Sequence, residues 1–513
     1  MIYSLSHIVN RLSLAAISAV FLILSFPDFN LGFLAWFALV PLLFAIDGQK
    51  PFKAFLISYV TGLFFFLGVL YWLIHVTLPG MVVVSLYLGL YFGLFGVLLA
   101  LVMKPGTKTN NYELLFLIPS IWVILEWIRS HLLTGFGWAL LGYSQSDILH
   151  MIQIADITGV YGVGFLLVLM NAAIFFTVRD VINKRLDTGF VVVAIFLVFL
   201  ASGYGVIRLK NVFTGETIKV AVVQGNIPQD RKWDSDFRDG IIETYLDLTG
   251  KAALDRPDLI VWPETSVPGF LEIEDDLKVK VLGTAKRLKI PLLVGTIRED
   301  KDSNYYNSAA LVLPTGEMGG VYDKVHLVPF GEYIPFKKAL SFVEKFAPVP
   351  IGDCSFGSSY TILGFFIERK SSQDGASMKL LKKVKFACLI CFEDIFPELS
   401  REFVKKGAGF LVNMTNDAWY KRSGALAQHA QNSVFRAVEN RTNVIRSANT
   451  GLSCFIDQKG RIIDKIEMYE PGFKTCDIIL NRARTFYSVY GDVLVYAAML
   501  FFTASLIKRR GQG

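Results

Sequence analysis

Val384-Lys-Phe-Ala-Cys-Leu-Ile-Cys-Phe-Glu393 is an apolar, β-rich run that ends on a cysteine, with a glutamate two residues further on. A side chain at the end of a buried strand is rigidly held, and the ends of several strands can share one pocket. Two other segments are built the same way. Leu259-Ile-Val-Trp-Pro-Glu264 delivers Glu264, and Tyr322-Asp-Lys-Val-His-Leu-Val-Pro-Phe-Gly-Glu332 delivers Lys324 and Glu332. A thiol, a carboxylate and an ammonium group suit acyl-transfer chemistry. The thiol of Cys391 needs a base to take its proton and a cation to favour the thiolate. Glu264 follows buried-type residues and Trp262-Pro263, where desolvation is expected to raise a carboxyl pKa toward the working range. Lys324 is the expected counter-charge for thiolate and oxyanion, and the backbone N–H of Phe392 the expected second oxyanion donor. Each residue alone has a bland reading: a solvated loop glutamate, a surface lysine, a small residue closing a strand. Their joint occurrence argues for a site.

Around these segments, short apolar runs at 218–223, 259–262, 292–295, 309–313, 386–390 and 410–414 are separated by helical patterns at 237–254, 276–288, 397–406 and 427–442. The expected result is an α/β domain with a mixed sheet. Some runs alternate and others are wholly apolar, as in two stacked sheets covered by helices.

The rest of the chain is different in kind. The 513 residues are 53% hydrophobic, too apolar for a soluble enzyme of this length. Apolar stretches at about 12–26, 31–46, 54–76, 81–103, 113–130, 157–178, 190–207 and 491–507 approach the ~20 residues that cross a bilayer. The first two are short and separated by Pro27-Asp28, which reads as a tight helical hairpin. A second apolar stretch follows Phe26 at once, without a small-residue cleavage site, so a removed signal peptide is disfavoured. The expected organisation is a seven-span bundle over 1–207, a catalytic domain over 208–490, and an eighth span with a basic tail over 491–513.

Loop charge orients this scheme. Arg11, Lys50, Lys53, Lys104, Lys108, Arg179, Lys184, Arg185, Lys508, Arg509 and Arg510 fall in one set of segments, whereas 27–30, 77–80 and 131–156 contain no Lys or Arg. The positive-inside rule therefore puts both termini in the cytoplasm and 208–490 on the outer side, the periplasm or its equivalent. Those eleven cations, against Asp47, Asp180 and Asp187, give about +8, so the rest of the chain is close to neutral within a net charge of +7. They belong to topology and anionic lipid, and nucleic acid is not an expected partner. Glu126 and Arg129 share a helix face near the outer end of the fifth stretch, where a structural pair and a lipid-headgroup contact are equally open. Gly89 and Gly93 have the spacing of a helix-packing motif.

The five cysteines, 354, 388, 391, 454 and 476, are an odd number for an oxidising compartment. Cys388 and Cys391 lie three apart in a strand pattern and so face opposite sides, which disfavours a metal or redox pair. Neither metal nor cofactor is expected. His326 lies two residues from Lys324 and could share its pocket, although a structural hydrogen-bonding role is favoured. His429 is the other histidine of the domain.

Asn226-Ile-Pro-Gln229, Val261-Trp-Pro-Glu264, Lys324 through Glu332, Cys391-Phe-Glu393 and Asn416-Asp-Ala-Trp419 resemble the nitrilase superfamily. With Gly135-Phe-Gly-Trp-Ala-Leu-Leu-Gly-Tyr-Ser-Gln145 and eight expected spans, nearly the whole chain resembles the apolipoprotein N-acyltransferases. The resemblance implies an αββα sandwich, a Glu264-Lys324-Cys391 triad, and essential site carboxylates at Glu332 and Glu393. It also implies acyl transfer from a phospholipid to the N-terminal amine of an S-diacylglyceryl-cysteine apolipoprotein, and we expect a monomer. Phe392 stands where tyrosine also fits the family pattern, leaving an aromatic face and a backbone N–H. Trp233 and Trp419 are candidates to wall the lipid entrance, and 336–349 is a candidate lid that keeps water from the thioester. A membrane-tethered nitrilase-type amidase is the alternative, against which eight spans are more than a tether needs. A transporter with an outer regulatory domain is a third, against which the spans carry few ionisable residues.

Overall fold

The computed structural model describes residues 2–104, 110–185, 187–335, 354–373, 376–480 and 483–510, so the candidate lid lies outside the described residues. The chain divides into two compact units, one of residues 1–211, 422–431 and 490–513, the other of 212–421 and 432–489.

The first unit is helical. Among the described residues, five helices are long and apolar enough to cross a membrane: Pro51–Val69, Leu78–Val102, Asn111–Thr134, Val160–Ile182 and Gly189–Lys210. Val160–Ile182 is 78% buried within the protein over its apolar window, and Gly189–Lys210 only 22%, so the former is central and the latter peripheral. The apolar parts of the first two stretches are shorter, Asn10–Leu24 and Gly32–Ile46. Gly32–Ile46 is broken into a 3-10 turn, Gly32–Trp36, and a short helix, Val40–Ile46, with Pro41 in its first turn. A helix break in an apolar setting frees backbone groups that must be satisfied internally. Asn171, buried on the central helix, does this: its Nδ2 donates to the Ala35 carbonyl (2.9 Å), and its Oδ1 accepts from the Leu39 N–H (2.7 Å). Pro51–Val69 and Leu78–Val102 pack at close range because a Cβ at Gly93 would meet Phe55 at 2.5 Å, and one at Gly96 would meet the Ala54 carbonyl oxygen at 2.5 Å.

Glu126 and Arg129 each hold a backbone group of the following segment. Glu126 Oε1 accepts from the Leu141 N–H (2.8 Å), and Arg129 donates to the Trp138 carbonyl (2.7 Å). Both are buried, and together they shape the 135–145 segment. Gln428, in the 422–431 segment of this unit, accepts from the indoles of Trp138 (2.8 Å) and Trp72 (3.1 Å) and donates to the carbonyls of Pro27 (2.8 Å) and Val69 (3.1 Å). A buried amide with all four positions satisfied fixes its surroundings rigidly.

The second unit has two six-stranded sheets. The first contains β1 (Thr217–Gln224), β2 (Leu259–Val261), β3 (Leu292–Glu299), β4 (Tyr305–Val312), β5 (Met318–Asp323) and β12 (Gly472–Ile479). The second contains β6 (Leu363–Gln373), β7 (Ala376–Ile390), β8 (Leu411–Thr415), β9 (Val444–Ala448), β10 (Ser453–Ile456) and β11 (Ile462–Ile466). Their orders are β12-β1-β2-β3-β4-β5 and β11-β10-β9-β8-β7-β6. Each has a parallel centre, β1-β2-β3 or β7-β8-β9, and antiparallel flanks. In the first sheet, Ala221, Val223, Ile260, Leu292, Val294, Ala310 and Val312 pack under Ile241, Tyr245, Leu277, Val281 and Ala285 of the covering helices Arg238–Ala253 and Asp275–Leu288. The alternate face meets the second sheet, with β1 against β9 and β10, and β4 against β7. Ser447 Oγ donates across to the carbonyls of Val261 (3.2 Å) and Val223 (3.3 Å). The expected helix-covered double sheet is what forms, and it brings the ends of β2, β5, β7 and β8 together.

Candidate active site

Glu264 lies three residues past β2, in a loop that β3 approaches closely. A Cβ at Gly295 would sit 2.4 Å from both the Pro263 carbonyl oxygen and the Thr265 nitrogen, so only glycine allows the approach. The Glu264 carboxylate is buried, with Oε1 accepting from Asn307 Nδ2 (2.8 Å) and Oε2 from the Asn416 N–H (2.8 Å). The solvated-loop reading of Glu264 therefore fails. Lys324, the first residue past β5, is 1% exposed, with Nζ 2.9 Å from Glu332 and 3.7 Å from Glu264 Oε1. The same Asn307 Nδ2 also donates to Glu332 Oε1 (2.9 Å), and Glu332 Oε2 accepts from the Val328 N–H (2.8 Å). One amide on β4 thus ties both carboxylates into position around one ammonium group. Burial alone would depress the Lys324 pKa, but the charges of Glu332 and Glu264 more than reverse this and hold the lysine protonated.

Cys391 follows β7 directly, in the left-handed region at φ +52°, and opens a 3-10 turn. A β-carbon in that region is strained, and such strain persists only where the surroundings impose it. Here Asn413 Nδ2 donates to the Cys391 carbonyl (3.1 Å), and Arg446 Nη1 donates to Asn413 Oδ1 (2.9 Å). Arg446 is itself buried between Asp394 (3.0 Å) and Asp417 (3.4 Å). Burial pushes the Cys391 thiol well above its ordinary range; the charge of Glu264 adds to this, while Lys324 and a hydrogen bond with Thr415 oppose it. The resting group is therefore a thiol, and its proton must move when it reacts.

Glu393 is fully buried, and its contacts are structural in form. Oε1 accepts from the N–H groups of Val325 (2.8 Å) and His326 (3.0 Å), Oε2 from that of Ile390 (2.7 Å), and the Tyr322 hydroxyl bonds to both. One carboxylate thereby pins the chain after Lys324 to the chain before Cys391. Burial raises its pKa to about 7, against the pull of those donors and of Lys324. Phe392 is buried, edge-on to Phe396 (5.3 Å), and the His326 ring lies over Phe396 at 3.7 Å. Trp233 is 38% exposed and Trp419 half-buried, so both retain surface for contact. His429 groups with the first unit, its ring against Trp138 (5.3 Å). All five cysteines are free thiols; Cys388 is buried in the strand, its sulfur near the Leu389 carbonyl (3.8 Å).

A model of the carbon-nitrogen hydrolases matches residues 219–487, and one of the apolipoprotein N-acyltransferase N-terminal domain matches 18–173. The apolipoprotein N-acyltransferase of Geobacter metallireducens is 39% identical over 500 residues, covering 95% of this chain and 92% of its own. The chain belongs to the apolipoprotein N-acyltransferase family. Another member, from Chlorobaculum tepidum, is 30% identical and covers 97% of both chains. The crystal structure of Saccharomyces cerevisiae Nit3, a member of branch 10 of the nitrilase superfamily, aligns over 52% of this chain and 90% of its own, with 18% identity and a TM-score of 0.37.

In this member of the apolipoprotein N-acyltransferases, the motifs that carried the resemblance brace the Glu264 loop. Asn416 Nδ2 donates to Gln229 Oε1 (2.8 Å), and Asn449 Nδ2 donates to Asn416 Oδ1 (3.0 Å) and the Ile227 carbonyl (2.8 Å). Several site residues have no signal in the sequence: Asn307 and Asn413 within strands, Thr415 at the end of β8, Tyr420, and Lys232. The Tyr420 hydroxyl is raised well above its ordinary range by burial and by the charges of Cys391, Asp417, Glu264 and Glu332. Lys232 is 3% exposed and donates to the Glu264 carbonyl oxygen (2.9 Å).

Proposed function

We propose that the protein transfers an acyl chain from a phospholipid to the N-terminal amine of S-diacylglyceryl-cysteine apolipoproteins, in two steps through a thioester on Cys391. The observation that carries this reading is the buried cluster at the strand ends: Glu264, fixed by two hydrogen bonds and 3.7 Å from Lys324, within electrostatic reach of the strained Cys391. In the first step the Cys391 proton passes to the Glu264 carboxylate as sulfur attacks the ester carbonyl. Lys324, with the N–H of Phe392, stabilises the oxyanion. Collapse breaks the ester C–O bond, and the departing lysophospholipid oxygen takes the proton from Glu264. In the second step the lipoprotein α-amine attacks the thioester, passes a proton to Glu264, and the thiolate leaves and regains it. Glu332 and Glu393 hold Lys324 and the two loops, and Trp233, Trp419 and Phe392 contact lipid. No metal or cofactor is needed for these steps.

The organisation read from the sequence completes the proposal: eight spans, 208–490 on the periplasmic side of the inner membrane, and a monomer. The Lys and Arg asymmetry of the loops supports the orientation of the spans. The reading is tested by incubating purified protein with phospholipid and weighing it. An acyl adduct on Cys391, lost in Cys391→Ala and kept in Cys388→Ala, is expected. An adduct that survives Cys391→Ala would refute the assignment.

A further inference from the structure

Lys232 poses a problem of charge. An ammonium group in so buried a position is costly unless it is paired, and its hydrogen bond is to a neutral backbone carbonyl, that of Glu264 (2.9 Å). That carbonyl occupies one of three N–H donors. The compensation has to be electrostatic, and the surroundings supply it. Glu264, which is buried, and Glu332, whose side chain is 17% exposed, are two carboxylates facing one lysine, Lys324, an excess of one negative charge beside the residue that must become a thiolate. The other ionisable neighbours of Cys391 do not remove this excess. Asp417 and Asp394 share one cation, Arg446, and so add to it, Glu393 is bound by N–H and O–H donors, and the Tyr420 hydroxyl is neutral.

We propose that Lys232 is the second cation of the acyl-transfer site, cancelling the negative charge that Lys324 alone leaves over and lowering the cost of the Cys391 thiolate and of the oxyanion. It touches the backbone of the base and acts on the thiol through space, as a charge-balancing and positioning residue. With Lys232 present, the charges of Glu264, Glu332, Lys324 and Lys232 sum to zero, and without it to −1, on top of the negative charge that Asp394 and Asp417 leave over Arg446. In a desolvated site a whole uncompensated charge is a large effect. The influence is mutual: burial lowers the Lys232 pKa to about 8, with Glu264 and Cys391 opposing the fall.

The proposal rests on Cys391 as nucleophile, and the test keeps the two apart. Full-length protein in detergent micelles is treated with iodoacetamide from pH 6 to 9.5, and alkylation of Cys391 is followed by peptide mass spectrometry. Here an S–C bond forms, iodide leaves and the thiol proton passes through Glu264 to solvent. Lys232→Met and Lys232→Gln are expected to move the midpoint up by about one pH unit, or roughly tenfold in rate at pH 7.5, and Lys232→Arg to stay within about threefold of wild type. Gln keeps a donor for the Glu264 carbonyl but not the charge. Wild-type behaviour of Lys232→Gln would overturn the proposal, as would equal slowing in Gln and Arg with no shift of midpoint. Should Lys232→Met not fold, the Gln and Arg pair carries the comparison. Failure of wild-type Cys391 to take an acyl group from phospholipid would sink the acyl-transfer reading and leave the alkylation result standing.

Discussion

Asn307→Leu removes the amide that donates to both Glu264 and Glu332. Its Nδ2 bonds to Glu264 (2.8 Å) and Glu332 (2.9 Å) are to charged acceptors, and such bonds contribute about 1.5–3 kcal/mol each. Taking the lower figure for two bonds shared by one NH₂ group gives about 3 kcal/mol. Expressed wholly in the transition state, this is roughly a hundredfold in rate. Glu264 keeps the Asn416 N–H and Glu332 keeps Lys324, so the loss is of alignment rather than of the groups themselves. The assay is single-turnover acylation of Cys391 by phospholipid in mixed micelles, with saturating lipid to separate the chemical step from binding. Asn307→Asp adds a sharper signature. It places a third carboxylate beside Lys324, and only its protonated form can donate. Its rate relative to wild type should therefore rise as pH falls from 8 to 6, whereas that of Asn307→Leu should stay flat. Acylation by Asn307→Leu within threefold of wild type would refute the argument that this amide sets the geometry of the base.

Glu393 makes a prediction on stability. Its folded pKa, near 7, exceeds its ordinary 4.5, so its contribution is full below about 4.5 and lost as pH rises through 7, about 3 kcal/mol in all. Denaturant unfolding should show Glu393→Gln losing less stability than wild type between pH 5 and 7.5, and parallel curves would contradict it. In the helical unit, Asn171→Leu leaves the Ala35 carbonyl and Leu39 N–H without their side-chain partner, which should cost about 2–5 kcal/mol in unfolding from detergent micelles; no change would show that the break is held otherwise. Reporter fusions after residues 50, 106 and 184 should read as cytoplasmic and fusions within 215–480 as external, and an external signal at 184 would overturn the span count.

The strand ends that carry Glu264, Lys324 and Cys391 were legible because buried β-runs are apolar and the residue after them is not. Much of the second sheet was not, for the same reason inverted. β9 carries Arg446 at its centre, buried against two aspartates, and a charged residue there makes a core strand look like a surface segment. β11 is short and exposed at the sheet edge, so it has no buried face to set a period. Pro41 marks the break within Gly32–Ile46 in the sequence, but what satisfies it, Asn171, lies 132 residues from Leu39. Asn307, Asn413 and Lys232 escaped notice because a polar residue in or near a strand says nothing of its partner until the chain has folded. Glu126 and Arg129 were recognisable as a functional or structural pair, but the backbone groups they also bond are ones no side-chain pattern reports.

The central claim is that one thioester is reserved for an amine and kept from water. With phospholipid alone, the protein should form acyl-Cys391, release about one lysophospholipid per active site, and stop. A diacylglyceryl-cysteine peptide with a free N-terminus should restart turnover and become N-acylated, and its N-acetylated form should not, having no amine to lose a proton to Glu264. Continued release of free fatty acid without acceptor, at a rate matching that with acceptor, would contradict the account and make the protein a hydrolase.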